Sequence, residues 1–368
     1  MKVLFIAGGD LLKNYKSGGE QVCRRNIDCL CELYGKENIH FLFFSEWKGE
    51  CPKNCNIFPR LRRWKVLLAL FMGHKMYYPW NEKKILDRIR DISPDIIFFD
   101  GISIGSILPK IPDGIYTVVF EHNCERKFVR NQVRHEGIIY FPEFLVISAC
   151  ERIAVKECNL LICINERDRK DIHHLYSRTA DLLLPVTFEG SLQKEKIVPN
   201  AKKELIFIGS NFKPNLEGIR WFVDNVMSVL EDYQLYIVGK NFEKERKKLE
   251  RNNVTVVGTV ENLEEYYYRY QVIVMPIFYG SGMKVKTAEA MMYGKTILAT
   301  DEALEGYDTE TVKGIFRCNT KEEFITCLHS LFAEDIPTFQ EEVYQNYLNK
   351  YSRKAALEIL SKAMPSGE

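Results

Sequence analysis

No stretch of the 368-residue chain approaches the ~18 consecutive apolar residues that a bilayer-spanning helix requires, so no such helix is expected. Neither sign of charge is in excess. With 51 basic and 50 acidic residues the formal net charge is +1, which leaves no overall field to attract nucleic acid or an acidic polymer, and any anion site must be local. The opening residues, MKVLFIAGGD, have too short an apolar run for a secretory signal and are expected to form a first buried strand. A cytoplasmic protein is expected, with peripheral contact to the inner face of a membrane left open.

Cysteine is present, eleven in all, but without the pairing that holds zinc. Cys51 and Cys55 make a lone C-x-x-x-C with no second Cys or His pair at metal spacing nearby. The other nine, from Cys23 to Cys327, mostly sit in apolar periodic surroundings, where a free thiol behaves as a small hydrophobe. An odd count in a large chain points to a reducing compartment. Also missing is G-x-G-x-x-G after the first strand, where the chain reads Gly8-Gly9 and then Gly18-Gly19. That absence argues against a nicotinamide enzyme, which the fold class alone would allow.

What the chain has is a repeated grammar. Its length exceeds what one core usually supports and suggests two domains at about 150 residues each. Short apolar runs alternate with helix-length amphipathic stretches: 2–7, 39–45, 95–100, 116–121, 160–165 and 182–186, then 205–210, 234–239, 254–259, 272–277, 296–300 and 315–318. Strands buried on both faces with helices between them imply parallel sheets of βαβ units. The expected class is α/β, two Rossmann-like, doubly wound parallel-sheet lobes with a cleft between them. They span residues 1–190 and 200–345, joined by the polar linker FEGSLQKEKIVPNAKKE at 188–204. A helix at about 350–366 follows the last strand and is free to pack back on the first lobe.

The stretch YGSGMKVKTAEAMMYGKTILAT, residues 279–300, carries the chemistry. Gly280-Ser281-Gly282 reads as a turn whose backbone can approach a ligand, followed by a helix from near Met283 to Gly294. Lys284 and Lys286 at a helix start are each unfavourable by roughly 0.3–1 kcal/mol against the helix dipole, unless an anion is bound. A glycine turn, free amides and two lysines form an anion trap suited to a diphosphate. Glu289, three residues beyond Lys286, can accept two hydroxyl hydrogen bonds of a ribose, or simply pair with Lys286. For the lysines the alternative is a solvated helix face.

The spacing G-S-G-x-K-x-K-x-x-E-A-M-x-x-G-K resembles the nucleotide-sugar site of GT-B glycosyltransferases, most closely family 4, which are retaining enzymes. FIGSNFKPNLEGIRWFVDNV is similar to that family's entry into the C-terminal lobe, and LYIVGK, VTVVGTVENLEEYYYRYQVIVMPI and EALEGYD fall in the family's order. The resemblance is specific from about residue 204 to 310. It implies a GT-B fold with an N-terminal acceptor lobe and a C-terminal donor lobe. It further implies that Glu289 binds the donor ribose, Lys286 the diphosphate, and Gly280, Ser281, Gly282 and Met283 present amides to phosphate or sugar, with Lys284 a second phosphate contact. Gly209, Ser210 and Lys213 join the donor side, and Gly18 and Gly19, in the loop before a helix that also carries Arg24 and Arg25, face the donor phosphates. One departure concerns the family's E-x₇-E pattern, whose first glutamate is replaced by Ser281.

His122, in VVFEHNCERKF, ends a strand. A lone histidine is more often structural, but the resemblance places one here against the donor sugar. Asp100, Asn165 and Glu166 also stand at strand ends. The implied reaction transfers a sugar from a nucleoside diphosphate to a glycan or lipid-linked hydroxyl in surface-polysaccharide synthesis, with Lys286, Glu289 and His122 at the reacting end. The chain has no Asp-x-Asp cluster at a strand end, so neither a metal nor another cofactor is expected. The alternative is a non-catalytic partner subunit that binds nucleotide sugars or glycans. The run RLRRWKVLLALFMGHKMYYPW, residues 60–80, either rests on anionic lipid or is a lobe helix whose basic residues snorkel.

Overall fold

The structure, a computed structural model, describes residues 1–8, 18–45, 54–61, 63–199 and 202–366, with backbone alone at 63, 64 and 135. Gly9, Cys51 and Arg62 lie outside the described residues. The chain divides into two compact units, Met1–Pro185 with Ala356–Glu368, and Val186–Ala355.

The first unit has strands β1 Val3–Ala7, β2 Ile39–Ser45, β3 Cys55–Pro59, β4 Ile96–Asp100, β5 Tyr116–Glu121, β6 Leu160–Cys163 and β7 Leu182–Leu183. Helices α1 Gly18–Tyr34, α2 Arg63–Phe71, α3 Pro79–Ile92, α4 Glu125–Glu136, α5 Phe141–Glu157 and α6 Glu166–Tyr176 surround them. The order is β3-β2-β1-β4-β5-β6-β7, every pair parallel. Every residue of β1 and β4 is buried, as helices on both faces of a parallel sheet require. Phe5 and Phe98 stack across them at 5.4 Å.

The second unit has β8 Glu204–Ile208, β9 Gln234–Val238, β10 Val254–Gly258, β11 Val272–Met275, β12 Thr296–Ala299 and β13 Ile315–Arg317, in the order β10-β9-β8-β11-β12-β13, again all parallel. Its helices are α7 Lys213–Asn225, α8 Arg246–Leu249, α9 Glu264–Arg269, α10 Val285–Met292, α11 Lys321–Ala333 and α12 Glu341–Lys350. The last helix, α13 Arg353–Ala363, runs across the boundary between the units in sequence.

One strand lies outside the expected set. Strand β3 was not foreseen, because it is an edge strand, half-buried to exposed and closed by Pro59, with no buried run to announce it. The polar segment expected as the linker packs on Tyr268 of α9 and on Phe339. Gln193 N donates to Tyr268 Oη at 3.1 Å, Val198 N to Tyr268 O at 3.1 Å, and Lys194 Nζ stands 4.4 Å above the Phe339 ring. The helix expected at about 350–366 is α13, whose start Ser352 caps by accepting the Ala355 amide at 3.2 Å.

Two glycines lock the loops at the carboxyl ends of the second sheet. A Cβ at Gly218 of α7 would lie 1.8 Å from Pro276 O, and one at Gly239, where φ is +143°, would lie 1.6 Å from Gly209 O. Gly218→Ala therefore forces α7 off the loop after β11. We expect a loss of about 3 kcal/mol or more, seen by calorimetry as a fall of roughly 6–12 °C in the second unit's transition. An unchanged transition would disprove the contact.

Candidate functional site

Strand order reverses beside β8 and β11 in the second unit and beside β1 and β4 in the first. Carboxyl ends of strands at such switch points are where doubly wound sheets bind ligands. In the second unit, neighbouring β8 and β11 release Gly209-Ser210 and the 276–282 loop side by side. Gly209 N donates to Val238 O at 3.0 Å, and Asn215 Nδ2 donates to Ser210 O at 2.9 Å, which ties that turn to the start of α7. Lys213 is the first residue of α7, exposed and without an ion pair among the described residues.

Helix α10 starts at Val285, two residues later than expected, because Lys284 is extended and serves as its N-cap. Gly282 takes a φ of 58°, which a glycine adopts without strain. Met283 is buried and Ser281 half-buried. At the far end Gly294 closes the helix with φ 56° under the Phe339 ring.

Both lysines have carboxylate partners in the chain. Lys284 Nζ donates to Glu302 Oε1 at 2.6 Å and to Gly282 O at 2.9 Å. Lys286 pairs with Glu289, the local alternative set out above. Glu302 was missed because its pairing spans the whole of α10 and β12, beyond any local spacing. Gly280 lies under this pair, its Cβ position 3.3 Å from both Glu302 Oε1 and the Lys284 side chain. Glu289 is 5 % exposed, and Lys286 keeps a more open side chain, 36 % exposed. Beneath Glu289, burial and the nearby carboxylate push the Tyr267 phenol well above its ordinary value.

In the first unit Asp100 ends β4 beside β5, and His122 follows β5. His122 Nε2 lies 3.0 Å from Asp100 Oδ2, while Asn26 Nδ2 of α1 donates to Asp100 Oδ1 at 2.7 Å. Burial alone would raise the Asp100 carboxyl, but the charge and hydrogen bond of His122, with hydrogen bonds from Cys23 and Asn26, hold it below the usual carboxylate range. Burial alone would lower His122, but Asp100 outweighs it, helped by Glu125 and opposed by Arg25, and the imidazole is raised. Glu121 points to the other face of the sheet, since His122 shares a face with the Phe120 ring at 4.9 Å.

Gly18 and Gly19 open α1 and are exposed, and a Cβ at Gly19 would meet nothing within 4 Å, so packing does not demand glycine there. The two arginines that follow diverge. Arg24 pairs with Asp28 at 2.9 Å on the surface, while Arg25 is buried 5.7 Å over the Phe120 ring, donates to Pro185 O at 3.0 Å and leaves Nε and Nη2 without hydrogen bonds among the described residues. Asn165 caps α6 by accepting the Asp168 amide at 2.8 Å, and Glu166 pairs with Arg169 at 3.3 Å. Among the described residues no group of three or more His, Cys, Asp and Glu is placed to hold a metal ion.

The Asp100–His122 pair sets a pH window. The raised His122 contributes stability that is complete below its ordinary pKa and lost as pH rises through the folded value. The lowered Asp100 contributes stability that is complete above its ordinary pKa and lost as pH falls through the folded value. The contribution is therefore greatest between about 4 and 6.5. NMR titration should find the His122 ring above its ordinary pKa in the native chain and below it in Asp100→Asn. Equal titrations would refute the coupling.

Residues 202–334 match the family model of glycosyl transferases group 1. A search of curated protein sequences returns no match. Among solved structures, sucrose-phosphate synthase from Thermosynechococcus elongatus superposes with a TM-score of 0.70 at 14% identity, covering 99% of this chain and 98% of its own. Anabaena HepE in complex with UDP gives 0.67 at 11% identity, with 99% of each chain covered. WaaG, a glycosyltransferase involved in lipopolysaccharide biosynthesis, gives 0.64 at 14% identity, with 99% of this chain and 100% of its own covered. The match to group 1 glycosyltransferases is confined to residues 202–334, and the two parallel-sheet units have the GT-B fold of these solved structures.

Proposed function

We propose that the protein transfers a sugar from a nucleoside diphosphate to the hydroxyl of a glycan or lipid-linked acceptor, with retention at the anomeric carbon, in surface-polysaccharide synthesis. The observation that carries this reading is the convergence of Gly209-Ser210, the Gly280–Gly282 turn and the starts of α7 and α10 at the β8/β11 switch point. Backbone amides and helix N-termini gathered there favour a diphosphate. UDP is the first nucleotide to test, since HepE was solved with UDP and with UDP-glucose.

In this reading Lys286 exchanges its contact with Glu289 for a phosphate oxygen. The pair is open on the Lys286 side, so the ammonium can turn to phosphate while buried Glu289 gains ribose hydroxyls in its place. Glu289 then accepts ribose hydroxyls, and Lys213 supplies a second cation. Lys284, held by Glu302, shapes the glycine turn while its charge still faces the phosphates. His122 orients a sugar hydroxyl. As the glycosidic bond stretches, the sugar becomes oxocarbenium-like and negative charge grows on the diphosphate, where lysines and fixed amides stabilise the transition state more than the ground state. The leaving phosphate takes the acceptor's proton. This arrangement neutralises the diphosphate without a divalent cation. Ser281, at the place of a sugar-binding glutamate, supports the alternative of a partner subunit that binds donor without turning it over.

One of UDP, GDP and ADP should raise the melting temperature, a ligand at one hundred times its Kd adding about 2.7 kcal/mol. Glu289→Ala should remove most of the rise, and EDTA should leave turnover unchanged. No rise with any nucleotide would sink the donor site, whereas binding without even slow donor hydrolysis would favour the partner subunit.

The lipid contact read from residues 60–80 finds support on α2. Ala69 and Leu70 face the core, while Leu67, Leu68 and Phe71 are turned out, Phe71 80% exposed. Lys75, just beyond α2, pairs with Glu143 of α5 at 2.7 Å, and the turn before α5 adds Ile138 and Ile139, 81% and 69% exposed. Arg130 and Arg134 of α4 are exposed, with no ion pair among the described residues. Apolar side chains flanked by unpaired arginines suit an anionic bilayer surface. Flotation with phosphatidylglycerol vesicles should capture the protein, and phosphatidylcholine should not. Phe71→Ser or Ile138→Ser should each weaken capture about tenfold, as loss of a buried apolar side chain predicts. Equal capture by both lipids, or by both variants, would discard this contact.

A further inference from the structure

The second unit has a pocket beside the donor loop whose lining side chains the donor reading does not use. Its volume is about 310 Å³, and its walls are Glu217, Gly218 and Trp221 of α7, Phe278 and Tyr279 of the loop after β11, and Asn319 ahead of α11. The crossovers β8 to β9 and β11 to β12 run in opposite directions across the sheet, so α7 and α10 cover opposite faces. The pocket therefore lies across the sheet from α10.

Its frame is rigid. The Gly218 backbone touches the Pro276 carbonyl, and Thr300 Oγ1 donates to Ile277 O. Trp221 meets Phe278 edge to face at 4.6 Å and Phe324 at 6.0 Å. On this frame Phe278 and Tyr279 stay 41% and 42% exposed, beside an accessible tryptophan. Two polar side chains, Glu217 and Asn319, stand in the lining beside the Tyr279 hydroxyl. Tyr279 Oη donates to Glu217 Oε2 at 2.7 Å, which steadies the carboxylate, and Oε1 has no hydrogen bond among the described residues. Asn319 Oδ1 accepts from Asp301 N at 3.0 Å, which fixes the amide and leaves Nδ2 to donate.

Aromatic surface, one carboxylate acceptor and one amide donor match a ring with an apolar C–H face and a rim of hydroxyls. Glu217 opposes phosphate and other anions. Ligand pockets span about 300–1,000 Å³, and this one, near the lower limit, holds one ring while the rest of a chain stays in solvent. An organic cation also suits aromatic faces beside a carboxylate, but the Asn319 donor would then face a positive charge.

The geometry points to a second, non-catalytic carbohydrate subsite that takes one neutral pyranose unit of a glycan. It goes beyond the donor site and needs no turnover to be observed.

The test uses the full chain with UDP saturating, so that the nucleotide site is occupied. Methyl α-glucoside, methyl α-galactoside and N-acetylglucosamine are titrated, read by saturation-transfer NMR and tryptophan fluorescence, with tetramethylammonium as the rival probe. At least one sugar should bind in the millimolar range. Tyr279→Ala and Glu217→Gln should each weaken it about tenfold, as expected for losing an aromatic face or a charged hydrogen bond, and Glu217→Gln should leave the UDP thermal shift unchanged. Glu217→Gln keeps the side-chain shape, so its result stands if Tyr279→Ala folds poorly. Absence of sugar binding, equal binding by both variants, or binding of tetramethylammonium in place of sugars would overturn the subsite. Failure of UDP to bind would count against the donor reading alone and leave the sugar titration readable.

Discussion

The second unit depends on backbone approaching backbone where no side chain fits. At the carboxyl ends of its sheet, Gly239 lies against the Gly209 carbonyl and Gly218 against that of Pro276. These approaches draw the turn after β8, the turn after β9 and the loop after β11 into one layer. With α7 fixed by Gly218, the 276–282 loop has little freedom, and its amides are fixed during folding. Preorganisation of this kind matters because a donor that must be fixed during binding pays for it in affinity, whereas one fixed during folding does not.

The electrostatics follow from that layer. Two lysines near the start of α10 would oppose its dipole if left alone. Each is met by a carboxylate, one within the helix and one from the loop after β12. The two pairs are unequal. Lys284 and Glu302 are both 15% exposed, and Lys284 also donates to the turn it shapes, so this pair belongs to the architecture. Lys286 remains 36% exposed and is the side chain that can exchange partners. A site with its cations already paired stays compact when empty and presents net charge only as a pair opens.

How much of this was readable in advance varies with distance along the chain. The buried parallel strands could be read because their burial on both faces leaves continuous apolar runs, and the strands from 39–45 and 116–121 came out with the expected ends. Half-buried β3 had no such signal. The glycine turn and the Lys286–Glu289 spacing were local and visible. Partners separated by whole elements were not: Glu302 for Lys284, and Asn26 and Cys23 around Asp100. Nor did spacing show that Arg24 and Arg25, adjacent in sequence, go one to the surface and one into the core.

The Asp100–His122 pair shows why adjacency in a sheet outweighs adjacency in sequence. The two residues come from neighbouring parallel strands, and register brings Asp100 opposite Phe120, one step before Glu121 and two before His122. His122 therefore turns back toward Asp100 on the Phe120 face, while Glu121 enters the opposite face and meets Glu151 and Asp168, where burial first and then those carboxylates raise its own. Two neighbouring titratable residues thus shift for opposite reasons, one toward a charged imidazole and one toward a neutral acid. Of the two, only the histidine has a fixed opposite charge beside it.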